Sequence, residues 1–384
     1  MFPGYLAVML LGMILIRQFG MFAGNTNGVR ALFLAVNAGT LTGFADSSGV
    51  AGLNANGQRI VLLLIVCGSL FNMIIGALAV KRIARMRFSD GRIIVAAFIV
   101  QAAAMLLGLA LLQSEQRSAF GATFLSTSAF GNCALYPGEL PPDTDILVHV
   151  IILPLTILGG LGLPVLMEIV DATLFHKPLS SHSRGVLGVS ALLYVIGFAA
   201  LLGLSLAGQV PTVQSTVAAV RQSSVLAVQS RTGGLDISPV RLVPESARWV
   251  LIVLMMIGAS PAGTGSGLKT TTLAELFRGT RRLLRGLPVS RSLGIALTWL
   301  GSYLAMLLGA VVLLSHVNPV LSTDHLLFTA VSGISNVGFS LSDVPDQKNV
   351  MFAYCAIMLL GRMVPLMILW WMAETTRDAD WAIG

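Results

Sequence analysis

The same three-part unit recurs four times along the chain. A short apolar run leads to a five-residue tip, and a longer apolar run follows the tip. The four tips are TLTGF (40–44), GNCAL (131–135), RTGGL (231–235) and SNVGF (335–339). Their fourth residues are Gly43, Ala134, Gly234 and Gly338, at separations of 91, 100 and 104 residues. Internal repetition at such a spacing indicates a fold that is built from repeated units.

The long apolar runs indicate a polytopic membrane protein. Of the 384 residues, 55% are hydrophobic and 11% are charged, whereas a soluble domain carries about 25% charged residues. A spanning helix needs about 20 apolar residues. The runs predict eight spans, at residues 5–16, 60–80, 93–112, 146–170, 186–207, 249–276, 293–314 and 350–372. The first is short unless Arg17 snorkels and the helix continues to Phe22. The predicted fold class is therefore an all-α integral membrane protein.

Each quarter of the sequence reads span, short re-entrant helix, tip, span. This order predicts four pseudo-repeats around one central pore, covering residues 1–88, 89–177, 178–286 and 287–384. Glycine at a tip accepts backbone angles that turn consecutive carbonyls toward one point, and a ring of carbonyls can replace the water shell of a cation. We expect the ring to involve Leu41, Thr42, Gly43, Asn132, Cys133, Ala134, Thr232, Gly233, Gly234, Asn336, Val337 and Gly338. The alternative is that the tips are ordinary loops between membrane helices.

The sixth predicted span is interrupted. Four glycines and a proline lie within Gly258–Gly267, and such a segment cannot continue a regular helix. Irregular backbone at membrane depth must line a cavity or be packed by protein, so we expect this loop to cross the pore as a gate. The predicted gate residues are Gly258, Gly263, Thr264, Gly265, Ser266, Gly267, Lys269 and Arg362. Arg362 is included because an arginine inside the last span is a functional candidate.

Two enzyme motifs are nearly matched in the same segment. GTGSGLKT resembles a phosphate-binding loop, but Leu268 stands where its second glycine belongs and no strand precedes it. Ser266 and Lys269 match S-x-x-K without the other hydrolase motifs. The three cysteines, Cys67, Cys133 and Cys355, have no zinc-site spacing. We therefore predict no enzyme activity and no cofactor in this chain, with a membrane-embedded hydrolase as a distant alternative.

The distribution of lysine and arginine predicts the orientation of the chain. With a cytoplasmic N-terminus, thirteen basic residues lie on inner segments and eight on outer segments, as the positive-inside rule requires. The tips then open outside, and both termini are cytoplasmic. Ten acidic residues give the outer face a net charge of −2, which would weakly concentrate cations at the mouth. The basic loop 277–291 on the inner side has the character of a site for anionic lipid or an acidic partner.

The fourfold repeat, IGASPAGTGSGLKTTT (257–272) and LLGRMVPL (359–366) together resemble the Trk/Ktr/HKT superfamily of potassium transporters. The resemblance covers about residues 28–372 and is greatest to bacterial membrane subunits of the TrkH/KtrB type. It implies potassium uptake across the cytoplasmic membrane, with K+ as the transported ion. It also implies that the tip glycines form the filter, that 258–267 is an intramembrane gate and that Arg362 lies beneath the filter.

Further expectations follow from the same resemblance. The chain would form a homodimer in membrane lipid and bind a ring of cytoplasmic nucleotide-binding subunits of the TrkA/KtrA type, with no nucleic acid involved. The second tip departs from the family pattern, which is close to NNAGF, because Ala134 replaces its glycine. A Cβ there restricts the backbone and crowds the narrowest ring. Two alternatives therefore stay open: a sodium-tolerant monovalent cation transporter, and a non-conducting regulatory or scaffold homologue.

Overall fold

The computed structural model describes residues 2–21, 27–113, 118–207, 212–288 and 291–378. Within these ranges the chain forms fourteen α-helices and no extended sheet. Short π-helical turns continue α1, precede α6 and continue α9. The helices are α1 Phe2–Leu15, α2 Gly28–Gly39, α3 Ala55–Ile83, α4 Asp90–Leu111, α5 Ala119–Gly131, α6 Leu153–Leu161, α7 Leu163–Phe175, α8 Ser181–Leu206, α9 Val213–Val228, α10 Glu245–Met256, α11 Thr270–Leu284, α12 Arg291–Val317, α13 Thr323–Ile334 and α14 Lys348–Asp378.

The structure describes a multi-pass membrane protein. Six helices are long and apolar enough to cross a bilayer, and one bent pair makes a seventh candidate within the described ranges. The first candidate runs from Phe2 to Gly20 as one apolar segment. The predicted continuation past Arg17 therefore holds as far as Gly20, while Phe22 lies outside the described residues.

Four short helices precede the four tips; α2, α5 and α13 are largely buried, whereas α9 is buried mainly in its last four residues. They are 12 to 16 residues long, and an α-helix of this length spans no more than about 24 Å. Side chains cap three of them: Asn27 accepts a hydrogen bond from the Val29 amide, Ser118 from that of Gly121, and Thr212 from that of Ser215. The caps begin each helix by satisfying one of its unpaired amides.

The prediction of one continuous span over residues 146–170 is wrong. The chain turns through 106° between Val148–Leu161 and Leu163–Phe175. Gly162 sits at the turn with φ 88° and ψ 146°, a region that is essentially restricted to glycine. Pro164 lies in the first turn of α7, where its missing amide hydrogen costs no helical bond. The GLGLP sequence at 160–164 therefore stops one helix and starts another.

The sixth predicted span, over residues 249–276, is two separate helices. α10 ends at Met256 and α11 begins at Thr270. Neither helix passes the length requirement for a span by itself. The segment between them is irregular but buried almost throughout. The interruption expected from its glycines is thus present, and protein rather than lipid surrounds it.

Replacing Gly162 by alanine should destabilise the fold. A Cβ there would lie 2.8 Å from the Pro261 carbonyl oxygen. The alanine would also have to adopt a positive φ, at a cost on the order of 1–3 kcal/mol. We expect a lower melting temperature for the purified protein in detergent. Gly188→Ala in α8 is the matched control, since a Cβ at Gly188 meets nothing within 4 Å. Equal melting temperatures for the two variants would contradict this account of the bend.

Candidate functional site: four tips above an irregular loop

The four tips, far apart in sequence, lie in direct contact. A Cβ on Gly43 would lie 2.3 Å from the amide nitrogen of Ala134. A Cβ on Gly234 would lie 1.6 Å from the Val337 carbonyl oxygen, and one on Gly338 would lie 2.4 Å from the Thr42 carbonyl oxygen. Each of these three glycines has a positive φ. Only glycine accommodates both the conformation and the close approach of neighbouring backbone.

Ala134 differs from the three glycines in its surroundings. Its Cβ lies 3.1 Å from the position that a Cβ would take on Gly234 and 3.0 Å from that position on Gly338. Its amide nitrogen donates a hydrogen bond of 3.1 Å to the Thr42 carbonyl oxygen. The methyl group of Ala134 therefore lies among the other tips, and its amide engages one of their carbonyls.

Three tips share a local geometry that sequence reasoning missed. Leu41, Asn132 and Asn336 occupy the left-handed region, with φ of 57°, 52° and 49°. In each tip the next amide bonds back to the carbonyl five residues earlier, as in a Schellman helix end. The third tip differs because a π-helical turn, Gln229–Gly233, leads directly into Gly234. Asparagine is a common left-handed residue, so Asn132 and Asn336 are a signal that the sequence did offer.

A polar side chain from each short helix braces the tip that follows it. Asn37 accepts hydrogen bonds from the Gly43 and Phe44 amides, at 2.7 and 3.0 Å. Ser128 donates to the Leu135 carbonyl at 2.7 Å. Gln229 accepts from the Leu235 amide at 3.3 Å, and Ser332 from the Gly338 amide at 3.1 Å. Such bonds fix the direction of the tip carbonyls, because they hold the adjacent peptide planes.

The side chains of the predicted tip residues contribute in different ways. Asn336 donates to Thr42 Oγ1 at 2.8 Å and to the Met358 carbonyl at 2.9 Å. Cys133 and Val337 are buried in the apolar interior. Gly233 lies against Gln229 and Thr156. The side chain of Thr232 lies outside the described residues.

The loop between α10 and α11 docks onto the bend between α6 and α7. A helix end leaves carbonyls without helical partners, and here the loop supplies donors for them. The Thr264 amide donates to the Gly159 carbonyl and the Ser260 amide to that of Gly160, both at 3.0 Å. Ser260 Oγ donates to the Leu161 carbonyl. The loop is therefore hydrogen-bonded to the bend that the sequence did not predict.

Thr264 connects this loop to the second tip. Its hydroxyl donates to the Phe130 carbonyl at 3.1 Å and accepts from Asn132 Nδ2 at 2.6 Å. Its own carbonyl accepts from Arg362 Nη1 at 2.6 Å. Since its amide is bonded to Gly159, every polar group of Thr264 has a partner. The loop residue is fixed from three sides.

Arg362 joins the loop to the first tip. Its Nε donates to the Thr40 carbonyl at 2.7 Å, and Nη1 also reaches Asn72 Oδ1 at 3.4 Å. The residue is 1% exposed. Nη2 has no hydrogen-bond partner among the described residues. A buried, positively charged guanidinium thus lies between a tip and the loop, and its Nη2 group makes no hydrogen bond to the described residues.

The rest of the predicted gate group is arranged within the loop itself. Gly258 packs so closely on the Ser266 carbonyl that there is no room for a Cβ, and Gly267 in turn packs on the backbone of Gly258. A Cβ on Gly263 would lie 2.5 Å from the Gly160 carbonyl oxygen. Ser266 Oγ donates to the Gly361 carbonyl in α14, while Lys269 Nζ donates to the Gly265 carbonyl. Because Ser266 and Lys269 turn to different carbonyls, they do not form the nucleophile–base pair that a hydrolase requires.

Arg231 at the third tip is a further residue that the sequence reasoning placed only as an outer charge. It reaches the Gly258 carbonyl at 3.2 Å and the Ser190 carbonyl in α8 at 3.4 Å. It also lines a cavity of about 230 Å³ between α6, α8 and α9. Arg231 and Arg362 therefore hold the same loop at two different carbonyl oxygens, those of Gly258 and Thr264.

Ion pairs reduce the negative charge at the outer ends of the tips. Asp46 is buried and bonded to Arg30 at 2.6 Å, and Asp343 pairs with Arg241. Burial raises the pKa of Asp236, against the opposing effects of the Val240 amide and of Arg241. The described residues contain no group of three or more histidine, cysteine, aspartate or glutamate side chains that could hold a metal ion. Besides the backbone carbonyls, the tips carry the side-chain oxygens Asn132 Oδ1 and Asn336 Oδ1, which are buried and have no hydrogen-bond partner among the described residues.

Comparison with known proteins finds relatives among ion transporters. No family model matches it. The chain is 24% identical to the potassium/sodium uptake protein NtpJ of Enterococcus hirae, over 94% of this chain and 89% of that protein. It is also 24% identical to the Ktr system potassium uptake protein B of Bacillus subtilis, over 98% and 92%. The potassium transporter TrkH from Vibrio parahaemolyticus superimposes with a TM-score of 0.72 at 16% identity, over 98% of this chain and 85% of that one.

The chain is similar to membrane subunits of the Trk/Ktr family in sequence over most of its length and in fold. The resemblance predicted from the repeat and from the two motifs is thereby confirmed. The likeness to TrkH shows the fold that the helices adopt. Because these similar proteins are transporters, the prediction that the chain is not an enzyme is confirmed as well.

Removing the Thr264 hydroxyl should loosen the loop. Thr264→Val keeps the volume but breaks the bonds to Phe130 and Asn132, and leaves Asn132 Nδ2 with only its long bond to the Phe130 carbonyl, at 3.4 Å. Each buried bond lost costs on the order of 1–3 kcal/mol. Hydrogen–deuterium exchange of peptides covering 258–267 should become faster. Thr264→Ser retains the hydroxyl and is the control; equal exchange in both variants would show that the hydroxyl does not hold the loop.

Proposed function

We propose that this protein is the pore-forming subunit of a system for the uptake of potassium, or of potassium and sodium, across the cytoplasmic membrane. The observation that carries the proposal is the meeting of four tips directly above a buried loop. Relatives of similar length are potassium or potassium/sodium uptake proteins by name, and this chain covers most of their length. The transported ion is the substrate, and the proposal requires no cofactor in the chain.

In this proposal the four segments 1–88, 89–177, 178–286 and 287–384 are structural repeats around one pore. The order of elements supports this division, since each segment contains a short helix, a tip and a following long or interrupted helix. The mutual contacts of Gly43, Ala134, Gly234 and Gly338, one from each segment, support this division. A pore on this axis would be lined by backbone from all four.

Selectivity in this proposal comes from the tip carbonyls. Carbonyl oxygens of Thr42 and Val337 lie between neighbouring tips, and rigid bracing by Asn37, Ser128 and Ser332 would keep such oxygens at fixed separations. Fixed carbonyls substitute for the hydration shell of a cation. The membrane potential supplies the driving force, about 2.3 kcal/mol per elementary charge for each 100 mV.

Ala134 supports the second candidate, a sodium-tolerant transporter. Its amide occupies the Thr42 carbonyl, and its methyl group lies among the three glycines. An ion that binds Thr42 O must displace the amide or bind beside it. A smaller or more flexibly bound cation would then be discriminated less sharply from potassium. If the amide bond is never released, the chain is instead the non-conducting regulatory or scaffold homologue.

The loop 258–267 acts as the gate in this proposal. It lies on the carbonyl-rich bend of α6 and α7 and is tied to two tips through Asn132 and Arg362. A cation leaving the tips would meet the guanidinium of Arg362, whose repulsion is strong at low dielectric. Flux therefore requires the loop and Arg362 to move, and both are held by a small set of hydrogen bonds.

The assembly follows from the family resemblance. We propose a homodimer with the tips outside and both termini in the cytoplasm. We also propose that a separate ring of nucleotide-binding subunits regulates the gate from the cytoplasmic side. α11, which continues directly from the gate loop, gives such a partner mechanical access to it.

The tip residues should determine ion preference. Gly234→Ser and Gly338→Ser should each lower potassium-over-sodium discrimination severalfold, because a side chain there enters the neighbouring tip. Ala134→Gly should raise this discrimination, since the substitution removes the methyl group that lies among the other tips. Tracer uptake of the two ions into vesicles measures the ratio. An unchanged ratio in all three variants would mean that the tips are not the filter.

Loosening the gate should raise flux. Arg362→Ala, or deletion of Gly263–Gly265, removes the ties between loop and tips and should increase cation uptake per folded protein. Folding is checked by the size-exclusion profile, because an unpaired buried partner destabilises by on the order of 1–3 kcal/mol. Well-folded variants with normal or reduced uptake would leave Arg362 as a structural brace and exclude the gate.

The orientation is tested by labelling from outside. A cysteine at Asp236 or Asp343 should react with an impermeant thiol reagent applied to intact cells, whereas a cysteine at Arg282 should not. The excess of basic residues on the inner segments is the reason for this expectation. Reversed labelling would place the tips at the cytoplasmic face.

A further inference from the structure

α11 is joined directly to the proposed gate. Lys269 precedes the helix, and its carbonyl accepts the first helical bond, from the Leu273 amide at 3.1 Å. The Thr270 amide donates to the Ala259 carbonyl at 3.4 Å, and Lys269 Nζ donates to the Gly265 carbonyl at 3.0 Å. Any tilt of α11 therefore moves the loop to which its first turn is bonded.

One side of α11 packs against the rest of the protein. A Cβ on Gly279 would lie 2.5 Å from Leu293 Cδ1 in α12. Thr272, seven residues earlier and thus on the same side of a helix with 3.6 residues per turn, is also buried. This packed side fixes the rotation of the helix and decides which residues face outward.

A second side of α11 is apolar and uncovered. Phe277 is 71% exposed and Leu284, seven residues later, is 84% exposed. Leu287, which lies just past the end of the helix, is also exposed. Large apolar side chains with this exposure are costly in water.

The third side of α11 is basic. It carries Arg278, and Arg281 and Arg282 lie three and four residues later; Arg285, seven residues after Arg278, is the C-terminal cap of the helix. Arg278 pairs with Glu275 at 2.9 Å, and the other three have no ion-pair partner among the described residues. No acidic residue follows Glu275 in the helix. The charges are therefore available to an anionic ligand.

We propose that α11 is an interfacial helix that binds anionic phospholipid of the cytoplasmic leaflet and thereby holds the gate loop in place. Separate apolar and basic stripes match a bilayer, in which acyl chains and phosphates lie at different depths. Arginine pairs with phosphate through several donors at once. An acidic protein surface would neutralise the arginines but leave Phe277 and Leu284 in water. The inference rests on the proposed topology and gate.

Depth measurement tests the docking. The full chain, with Cys67, Cys133 and Cys355 replaced by alanine, carries a fluorophore at L284C or at R282C in vesicles of phosphatidylcholine with about 40 mol% phosphatidylglycerol. Brominated acyl chains should quench the probe at residue 284 at least about threefold more than the probe at 282. Equal quenching at the two positions would overturn the proposal, because it would mean that residue 284 does not enter the acyl chains. This is also the result expected if the helix binds an acidic protein instead of lipid.

Lipid retention tests the basic stripe. Native mass spectrometry should find phosphatidylglycerol retained in preference to phosphatidylcholine, and R281Q/R282Q/R285Q should lose most of this preference. R85Q/R87Q is the matched control, because these arginines are also exposed on a proposed inner loop. Equal loss in the control would assign the lipid to general positive charge and overturn the site.

The link to the gate has its own measurement. Phosphatidylglycerol should slow hydrogen–deuterium exchange in peptides covering 258–267 of the native chain but not of R281Q/R282Q/R285Q. Exchange rates that do not change with phosphatidylglycerol in either protein would overturn the coupling. None of these readouts requires ion flux, so a chain that fails to transport cations would refute the proposed function and leave the lipid site standing on its own results.

Discussion

A buried guanidinium organises the centre of this protein. Arg362 donates to the Thr40 carbonyl on one tip and to the Thr264 carbonyl on the loop beneath. A positive charge at membrane depth is tolerated only with such partners. The carbonyls that it binds belong to irregular backbone, which itself needs donors when it is removed from water. Charge and irregular backbone therefore stabilise each other, and neither would be stable at this depth without the other.

The remaining contacts extend this arrangement outward. Thr264 ties the loop to the second tip through Asn132, and the bend at Gly162 presents the carbonyls on which the loop rests. Arg231 holds the beginning of the loop near α8. Polar side chains of the short helices fix the tips from above. A change in the loop would be transmitted to the tips through specific hydrogen bonds, which is the physical basis for treating the proposed filter and the proposed gate as coupled.

Much of this fold could be predicted from the sequence, because apolar length and glycine position are local properties. They located the long helices, the four tips and the interruption after Met256. The bend at Gly162 was missed because an apolar run gives no sign of direction, although GLGLP contained the glycine and proline that produce it. The partners of Arg362 and Thr264 could not be predicted, since they join residues as far as 322 positions apart. The left-handed Asn132 and Asn336 stood in the sequence as a signal that was not used.

The central claim is that cations pass between these four tips. Its most direct measurement is rubidium tracer uptake by the purified native chain in vesicles loaded with potassium and diluted into low-potassium medium, where a conducting pore creates an inside-negative potential. The account predicts uptake well above that of protein-free vesicles, and greater uptake with a potassium gradient than with a sodium gradient. Uptake equal to that of protein-free vesicles, from protein with an intact size-exclusion profile, would contradict it.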